Sequence, residues 1–233
     1  FPAPQFVADV SNQNLHALGQ TDMVIITPSE FSSQAEILAQ KHRSNDGISV
    51  LVVTPELIYN EFSSGTPDAS AFRWFMKMFY DRATTPENAP KSLLLFGDGT
   101  YDNRLIYSNT KNRSKLLTYQ SYNSLHEVAS YVTDDYFGLL DDNEGVNIHF
   151  GSVEIGIGRI PVSTTEQADA IVAKITSYMD NNQKGYWKNR LAYIADDDDN
   201  LLHTDQSNQL VTDVEQKYPD FQPKRFFFDT YQQ

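Results

Sequence analysis

Three short apolar runs, each followed by a turn signal, constrain the fold of this chain most strongly. The runs at 23–26 and 48–53 both end in a Thr-Pro pair, and the run at 92–96 leads into the tetrapeptide GDGT at 97–100. None of them alternates polar and apolar residues, which is the pattern of strands buried on both faces. Helical patterns separate the runs, so the sequence predicts an α/β fold in which helices flank a parallel sheet.

The segment 99–152 interrupts this alternation of strands and helices. It is polar, rich in Tyr, Asn and Ser, and contains the stretch YVTDDYFGLLDDNEG. We therefore predict a surface excursion with two short strands, at 131–133 and 136–140. The other predicted elements are helices at 31–43, 68–83, 165–179 and 204–217 and strands at 153–161, 190–195 and 224–228.

The α/β pattern begins a second time near Trp187. Two strands and one helix are too few for an independent sheet domain, so they either join the first sheet or belong to a larger unit. We predict residues 1–21 as a linker or N-terminal arm, 22–186 as a first α/β subdomain and 187–233 as the beginning of a second. The chain lacks an initiator Met, and we expect it to be a piece of a longer protein.

Composition excludes several kinds of function. The chain has 233 residues, a formal net charge of −13 and no cysteine. Without cysteine there can be no disulfide, zinc–thiolate site or cysteine nucleophile among these residues. The acidic balance argues against nucleic acid as a partner, because phosphate binding needs a surface rich in Lys and Arg. No apolar run is long enough to span a membrane.

The GDGT tetrapeptide is the first candidate for chemistry, because parallel sheets bind ligands beyond the carboxyl ends of their strands. A phosphate loop needs Gly-Lys-Ser/Thr entering a helix, and a dinucleotide fingerprint needs a third glycine; neither is present. An aspartyl phosphotransferase would need a second Asp at the position of Phe96. We therefore predict that Gly97 and Asp98 form a structural loop, in which Asp98 fixes the turn by accepting hydrogen bonds from backbone N–H groups.

Two acidic clusters are candidates for metal binding. The first consists of Asp134, Asp135, Asp141 and Asp142, with Glu144 nearby. They offer the hard oxygen ligands that Ca²⁺ takes, although their spacing is not that of an EF-hand, and solvated turn carboxylates are the alternative. In the second, Asp196 and Asp198 belong to a run of four Asp after a predicted strand. These residues can bind a metal or a basic side chain, or cap the helix that follows.

Read in order, several stretches of the chain resemble one known family. They are LLLFGDGTYDNR, YVTDDYFGLLDD, EIGIGRIPV, WKNRLAYIADDDDN and FFFDTY. Together they resemble the gingipain-type cysteine peptidases, the C25 family, over nearly the whole chain after about Asp22. The resemblance implies a caspase-like catalytic region of two side-by-side α/β subdomains, the second of which carries a His–Cys dyad. The Gly-His-Gly motif of that dyad and its cysteine are not in this sequence, so we expect no proteolysis by the chain alone.

Within this family the chain more closely resembles the cell-surface sortases of the type IX secretion system. The similarity implies a protein on the outer face of the outer membrane that cleaves C-terminal targeting domains from secreted cargo. Its partners would be those cargo proteins and other surface proteins of the system, and gingipain relatives also carry structural calcium. A substrate-binding position of the gingipains falls near His203, where they have an acid, so specificity for Arg or Lys stays open.

Two other functions compete with the peptidase interpretation. One is a non-catalytic α/β module that binds peptide or sugar through the Tyr-rich segment 101–137. The other is a phosphate-handling hydrolase that uses Asp98 together with a metal at 196–199, although the geometry of an aspartyl nucleophile is missing from its motif.

Overall fold

The computed structural model describes residues 3, 5–6, 9–107, 116–122, 125–126, 130–146, 151–181, 184–196 and 200–228. The chain separates into two compact units, Phe1–Met179 (unit 1) and Asp180–Gln233 (unit 2). Among the described residues, no helix is both long enough and apolar enough to cross a bilayer.

Unit 1 is built on a parallel sheet with helices on both faces. Its strands are β1 (Met23–Ile26), β2 (Val50–Val53), β3 (Ser92–Phe96), β4 (Tyr119–Gln120), β5 (Val132–Thr133) and β6 (Gly156–Ile160). Its α-helices are α1 (Ser32–Asn45), α2 (Pro55–Phe62), α3 (Ala69–Arg82) and α4 (Thr165–Met179). The order in the main sheet is β2-β1-β3-β6, with all neighbours parallel, and β4 and β5 form a separate antiparallel pair.

Successive residues of the central strand β1 point to two different apolar cores. Val24 and Ile26 belong to the core that contains the aromatic stripe of α3, while Met23 and Ile25 belong to the core beneath α1 and α4. All four are buried. This arrangement explains why the strand sequences do not alternate, since both faces of the sheet are covered.

Two predicted features of unit 1 differ from the structure. The Thr-Pro pair after β2 ends the strand and also begins a helix, since Pro55 is the first residue of α2. Proline is tolerated at this position because its φ suits the helix and its missing N–H would have no helical partner. The predicted strand at 136–140 is wrong. The 3₁₀ helix Asp135–Gly138 lies there, closed by local bonds such as Phe137 N–H to the Asp134 carbonyl, 3.0 Å. A short apolar run does not by itself distinguish a strand from a helical turn.

Unit 2 contains β7 (Arg190–Ala195), α5 (Leu202–Lys217) and β8 (Gln222–Phe227). The two strands are parallel and form a sheet of their own within the described residues. Val211 of α5 is buried, as are Ala195 and Phe227 at the ends of the strands. Arg225 of β8 binds both carboxylate oxygens of Glu215 on α5, at 2.9 and 3.1 Å.

Candidate functional site

The GDGT loop follows β3 in the chain and is hydrogen-bonded to the residues that precede α4. The N–H of Asp98 donates to the Val162 carbonyl at 2.9 Å, which continues the pairing of β3 with β6. One carboxylate oxygen of Asp98 accepts the Gly99 N–H at 2.9 Å, and the other accepts the Ser163 hydroxyl at 3.0 Å. The carboxylate therefore bonds to one backbone N–H and to the residue that leads into α4.

Arg159 of β6 connects three parts of the chain. Its guanidinium donates to both carboxylate oxygens of Asp134, at 2.7 Å each, in the bidentate geometry that gives strong ion pairs. It also donates to the carbonyls of Gly97 and Leu117, at 3.0 and 3.1 Å. Both side chains of the pair are partly buried. Asp134, which the sequence suggested as a metal ligand, thus has a structural partner that the sequence did not predict.

The second glycine of GDGT is required by this arrangement. A Cβ on Gly99 would lie 2.6 Å from Cγ2 of Thr118 and 3.2 Å from Nη1 of Arg159. Real Cβ atoms do not approach carbon atoms as closely as 2.6 Å, so the loop can pass Thr118 in this arrangement only without a side chain at this position. The glycine accommodates a neighbouring side chain here, and that role does not need a phosphate ligand.

A second cluster of contacts holds the acidic loop 139–145 against α3. Arg73 is buried and donates to the carbonyls of Leu139 at 2.6 Å and Glu144 at 2.9 Å. Gly145 has a φ of +85°, and a Cβ there would lie 2.8 Å from Cζ of Arg73. The loop can therefore close around the guanidinium only with glycine at this position.

Lys77, one turn further along α3, holds the same loop. Its ammonium is buried and donates to the Leu140 carbonyl at 2.7 Å and to Asp81 and Asp142 at 2.9 Å each. Burial opposes the charged form, but the hydrogen bonds to the two carboxylates outweigh it and raise the pKa of Lys77. The same bond lowers the pKa of Asp142. Asp142 is therefore paired with a cation that belongs to the protein.

Three carboxylates next to this loop offer ligand atoms within 4.8 Å of one another: Asp141, Glu144 and Glu154, here called the acidic trio. Partial burial and the negative charges of Glu144 and Asp141 raise the pKa of Glu154, although the Leu140 N–H donates to it at 2.7 Å. A hard divalent cation would relieve this repulsion, and an all-oxygen donor set suits Ca²⁺. The acidic trio shares Asp141 and Glu144 with the cluster suggested by the sequence and adds Glu154 to it.

An open cavity of about 470 Å³ borders this cluster. Its lining is polar and mostly acidic, and it consists of Lys77, Tyr80, Asp81, Asp141, Asp142, Asn143 and Glu144. The Tyr80 hydroxyl donates to Asp141 at 2.9 Å. The lining can accept cations better than anions, because its carboxylates outnumber its single ammonium group.

Four predicted site residues remain: Asp135 in unit 1, and Asp196, Asp198 and His203 in unit 2. Asp135 is exposed, and its N–H donates to the Thr133 hydroxyl at 3.1 Å. In unit 2, Asp196 is exposed, and its carbonyl accepts the Thr204 hydroxyl at 2.8 Å. His203 is exposed in the first turn of α5. Asp198 lies outside the described residues, and the metal and substrate roles of all these residues stay predictions.

The sequence analysis missed the three basic residues that organise both clusters. Arg73 and Lys77 interrupt the aromatic stripe AFRWFMKMF of α3, and Arg159 interrupts the strand sequence GIGRI. A basic residue inside an apolar pattern was the available signal, since a buried cation needs partners. Asp81, four residues from Lys77, is the one near partner among these bonds. The other partners lie 25 or more residues away along the chain, so their identity could not be read from local patterns.

Residues 16–233 match the family model described as peptidase family C25. The chain belongs to peptidase family C25. The family that the ordered motifs suggested is therefore confirmed, and so is the predicted α/β fold with a parallel sheet flanked by helices.

One C25 relative of known structure is similar in sequence as well as in fold. PorU from Porphyromonas gingivalis, in a dimeric latent form, has 42% identity to this chain and a TM-score of 0.71. The similarity covers 80% of this chain and 18% of the PorU chain. Among curated proteins, none matches this sequence.

Two gingipain structures share the fold at much lower identity. The complex of the RgpB pro- and mature domains from Porphyromonas gingivalis has a TM-score of 0.59 at 17% identity, covering 88% of this chain and 41% of that one. The Arg-specific cysteine proteinase gingipain R has a TM-score of 0.58 at 14% identity, covering 89% and 41%. This chain thus spans well under half the length of each of these three relatives.

Proposed function

We propose that this chain is the front part of the catalytic region of a C25 cysteine peptidase, and that the parent protein is the cell-surface sortase of a type IX secretion system. The observation that carries the proposal is the similarity to PorU, at 42% identity over 80% of the chain. The C25 match over residues 16–233 supports the peptidase part. The substrates would be secreted proteins with a C-terminal targeting domain, processed on the outer face of the outer membrane together with other surface proteins of the system.

In this proposal the chain supports catalysis and does not perform it. A cysteine peptidase needs a thiolate nucleophile and an imidazole that moves the proton, and no residue here can replace the thiol. Residues 22–186 would form the non-catalytic subdomain, and 187–233 would begin the subdomain that carries the His–Cys dyad. His203 would lie near the substrate, at the start of α5.

A cleavage assay on the product of the longer gene tests this function. The substrate is a cargo protein with its C-terminal domain, and the control is the same cargo without that domain. We expect the longer protein to remove the domain, its Cys→Ala variant to lose the activity, and the 233-residue chain to show none. Equal cleavage by the Cys→Ala variant, or no cleavage of the complete cargo, would refute the sortase proposal.

We also propose that the acidic trio holds a structural Ca²⁺. The support is its donor set of three carboxylates, together with the burial and the neighbouring negative charges that raise the pKa of Glu154. Millimolar Ca²⁺ should raise the melting temperature of the chain more than Mg²⁺ does, and Glu154→Gln should reduce that rise. Glu87→Gln, which changes an exposed carboxylate elsewhere, is the matched control. An equal rise in both variants and the wild type would argue against this site.

A non-catalytic binding module remains the second candidate, because three tyrosines of the excursion are exposed. Tyr101, Tyr107 and Tyr122 are 62%, 57% and 81% accessible, and the rings of Tyr101 and Tyr107 lie 6.4 Å apart. Exposed aromatic rings suit peptide or sugar binding. If the longer protein is inactive, binding of a peptide or glycan that Tyr101→Ala weakens would favour this function.

A further inference from the structure

The segment 13–20, here called the strap, runs over α2 and α3 before the chain enters β1. The sequence suggested a linker or arm in this region. The structure instead contains a 3₁₀ turn at Leu15–Ala17, whose N-terminal Asn14 side chain accepts the Ala17 N–H at 3.0 Å. The strap is therefore folded, and it covers part of the surface of α2 and α3 in unit 1.

One carboxylate, that of Glu61 on α2, receives most of the polar contacts in the first half of the strap. It accepts the Leu15 N–H at 2.6 Å, the His16 N–H at 3.2 Å and the Gln13 side-chain amide at 2.8 Å. The His16 ring nitrogen Nδ1 lies 2.6 Å from the same carboxylate. Four polar contacts thus depend on a single side chain, and charged acceptors make the stronger hydrogen bonds.

The apolar contacts of the strap are few and lie at the same place. Leu15 is buried among the residues of the α3 core, and the His16 ring stacks on Phe62 with centroids 4.6 Å apart. Phe62 in turn packs against Phe75 of the core, with ring centroids 5.4 Å apart. Lifting the strap would remove one buried leucine from the core and would uncover the ring of Phe62.

The strap also makes hydrogen bonds that do not involve Glu61. Gln13 donates to the Leu57 carbonyl at 2.7 Å and accepts from the Asn60 side-chain amide at 3.1 Å. Arg82 donates to the His16 carbonyl at 2.9 Å, and Gln20 donates to the carbonyls of Phe79 and Asn88 at 2.8 and 3.0 Å. These contacts are exposed or half-buried. Segments with few buried apolar contacts open at a lower free energy than the core does.

We propose that the strap is a releasable closure of unit 1 and that Glu61 is its latch. Breaking the Glu61 contacts leaves the first half of the strap with exposed hydrogen bonds only, those of Gln13 to α2 and of Arg82 to the His16 carbonyl. Leu15 then withdraws, and the aromatic surface around Phe62 is exposed. The sheet and the helices keep their own contacts, so the strap opens while the rest of unit 1 stays folded.

Amide hydrogen exchange in Glu61→Ala tests the latch. The informative amides are those of Ala17 and Leu18, because they donate to Asn14 and Leu15 and not to Glu61. We expect both amides to exchange about tenfold faster or more in the variant, since several hydrogen bonds to a charged group are lost together. The amides of α3 should keep their wild-type rates, and binding of a hydrophobic dye should increase.

Glu56→Ala is the matched control, because Glu56 is an exposed carboxylate on the same helix. It should leave the strap amides and the dye signal near their wild-type values. If Glu61→Ala folds too poorly to measure, Glu61→Gln tests the same point, since it keeps the side chain's shape and loses the charge. Strap exchange that matches the Glu56→Ala control, or strap and α3 amides that accelerate by the same factor, would overturn the proposal.

Discussion

Buried and partly buried basic side chains fix the position of the polar excursion between β3 and β6. Arg73 and Lys77 are 4% and 7% accessible, and the side chain of Arg159 is 13% accessible. Each cation bonds to backbone carbonyls, and Lys77 and Arg159 also bond to carboxylates. A buried charge is tolerated only when it is paired, so these residues determine where the acidic segments must lie.

Replacing Arg159 by Met should destabilise unit 1 by about 2 kcal/mol, because Asp134 then loses its partner while still half-buried. Urea unfolding of the single variants and of Arg159→Met with Asp134→Asn measures this cost. The double variant should be destabilised by less than the sum of the two single changes. Additive effects would mean that the ion pair does not couple the two residues.

Gly99→Ala should cost about 1–3 kcal/mol, because the added Cβ meets Thr118 and Arg159 at distances that require one of them to shift. Gly19→Ala is the control, since nothing lies within 4 Å of a Cβ at that position. Thermal unfolding of the two variants compares them directly. If both are equally stable, the close approach at Gly99 does not restrict the loop.

At the scale of elements, the end of β3 and the beginning of α4 are joined through Asp98 and Ser163. Asp98→Ala should destabilise unit 1 by about 1 kcal/mol, because the bonds to the Gly99 N–H and the Ser163 hydroxyl are both lost. Ser163→Ala should remove one of them. A double-mutant cycle followed by melting temperature isolates the shared bond, and an unchanged melting temperature in Asp98→Ala would rule out a structural role for the loop.

Two carboxylates that accept hydrogen bonds from neighbouring segments should make the stability of unit 1 sensitive to acid. Hydrogen bonds from Lys91 and Ser49 lower the pKa of Asp22 from 3.8 to about 2. Partial burial opposes ionisation of Glu61, but the Leu15 and Gln13 hydrogen bonds lower its pKa from 4.5 to about 2. Because both values are lower in the folded state, their stabilising effect is complete above about pH 4.5 and is lost as the pH falls towards 2.

Urea unfolding between pH 6 and pH 2.5 tests whether these two carboxylates cause the acid sensitivity. The wild type should lose stability below about pH 4.5, and the double variant Asp22→Asn with Glu61→Gln should lose less over the same range. A variant whose stability depends on pH as steeply as the wild type would show that other carboxylates cause the acid sensitivity.

The elements that the sequence predicted best are those with local signals. The strands Ser92–Phe96 and Arg190–Ala195 and the helix Thr165–Met179 have the predicted limits, since an apolar run or a helical stripe with clear flanking residues defines each. Helix α2 was missed because its proline looked like a strand terminator. The partners of Arg73 and Arg159 could not be predicted, because they depend on how the excursion folds back over α3 and β6.

At the scale of the whole molecule, unit 2 offers only two parallel strands and one helix among the described residues. The C25 relatives are much longer, since this chain spans 18% of the PorU chain and 41% of each gingipain chain. Both facts support the proposal that the chain works as part of a longer peptidase. The excursion and the strap would then be the parts of unit 1 that are added to its parallel sheet and flanking helices.

The coding sequence that follows the codon for Gln233 tests the central claim most directly. The claim is that this chain is the front part of a C25 catalytic region. It predicts a Gly-His-Gly motif within a few dozen codons and, further on, a cysteine after an apolar strand. A stop codon in that place, or a downstream region that lacks both residues, would contradict the claim and leave a non-catalytic binding module as the function to explain.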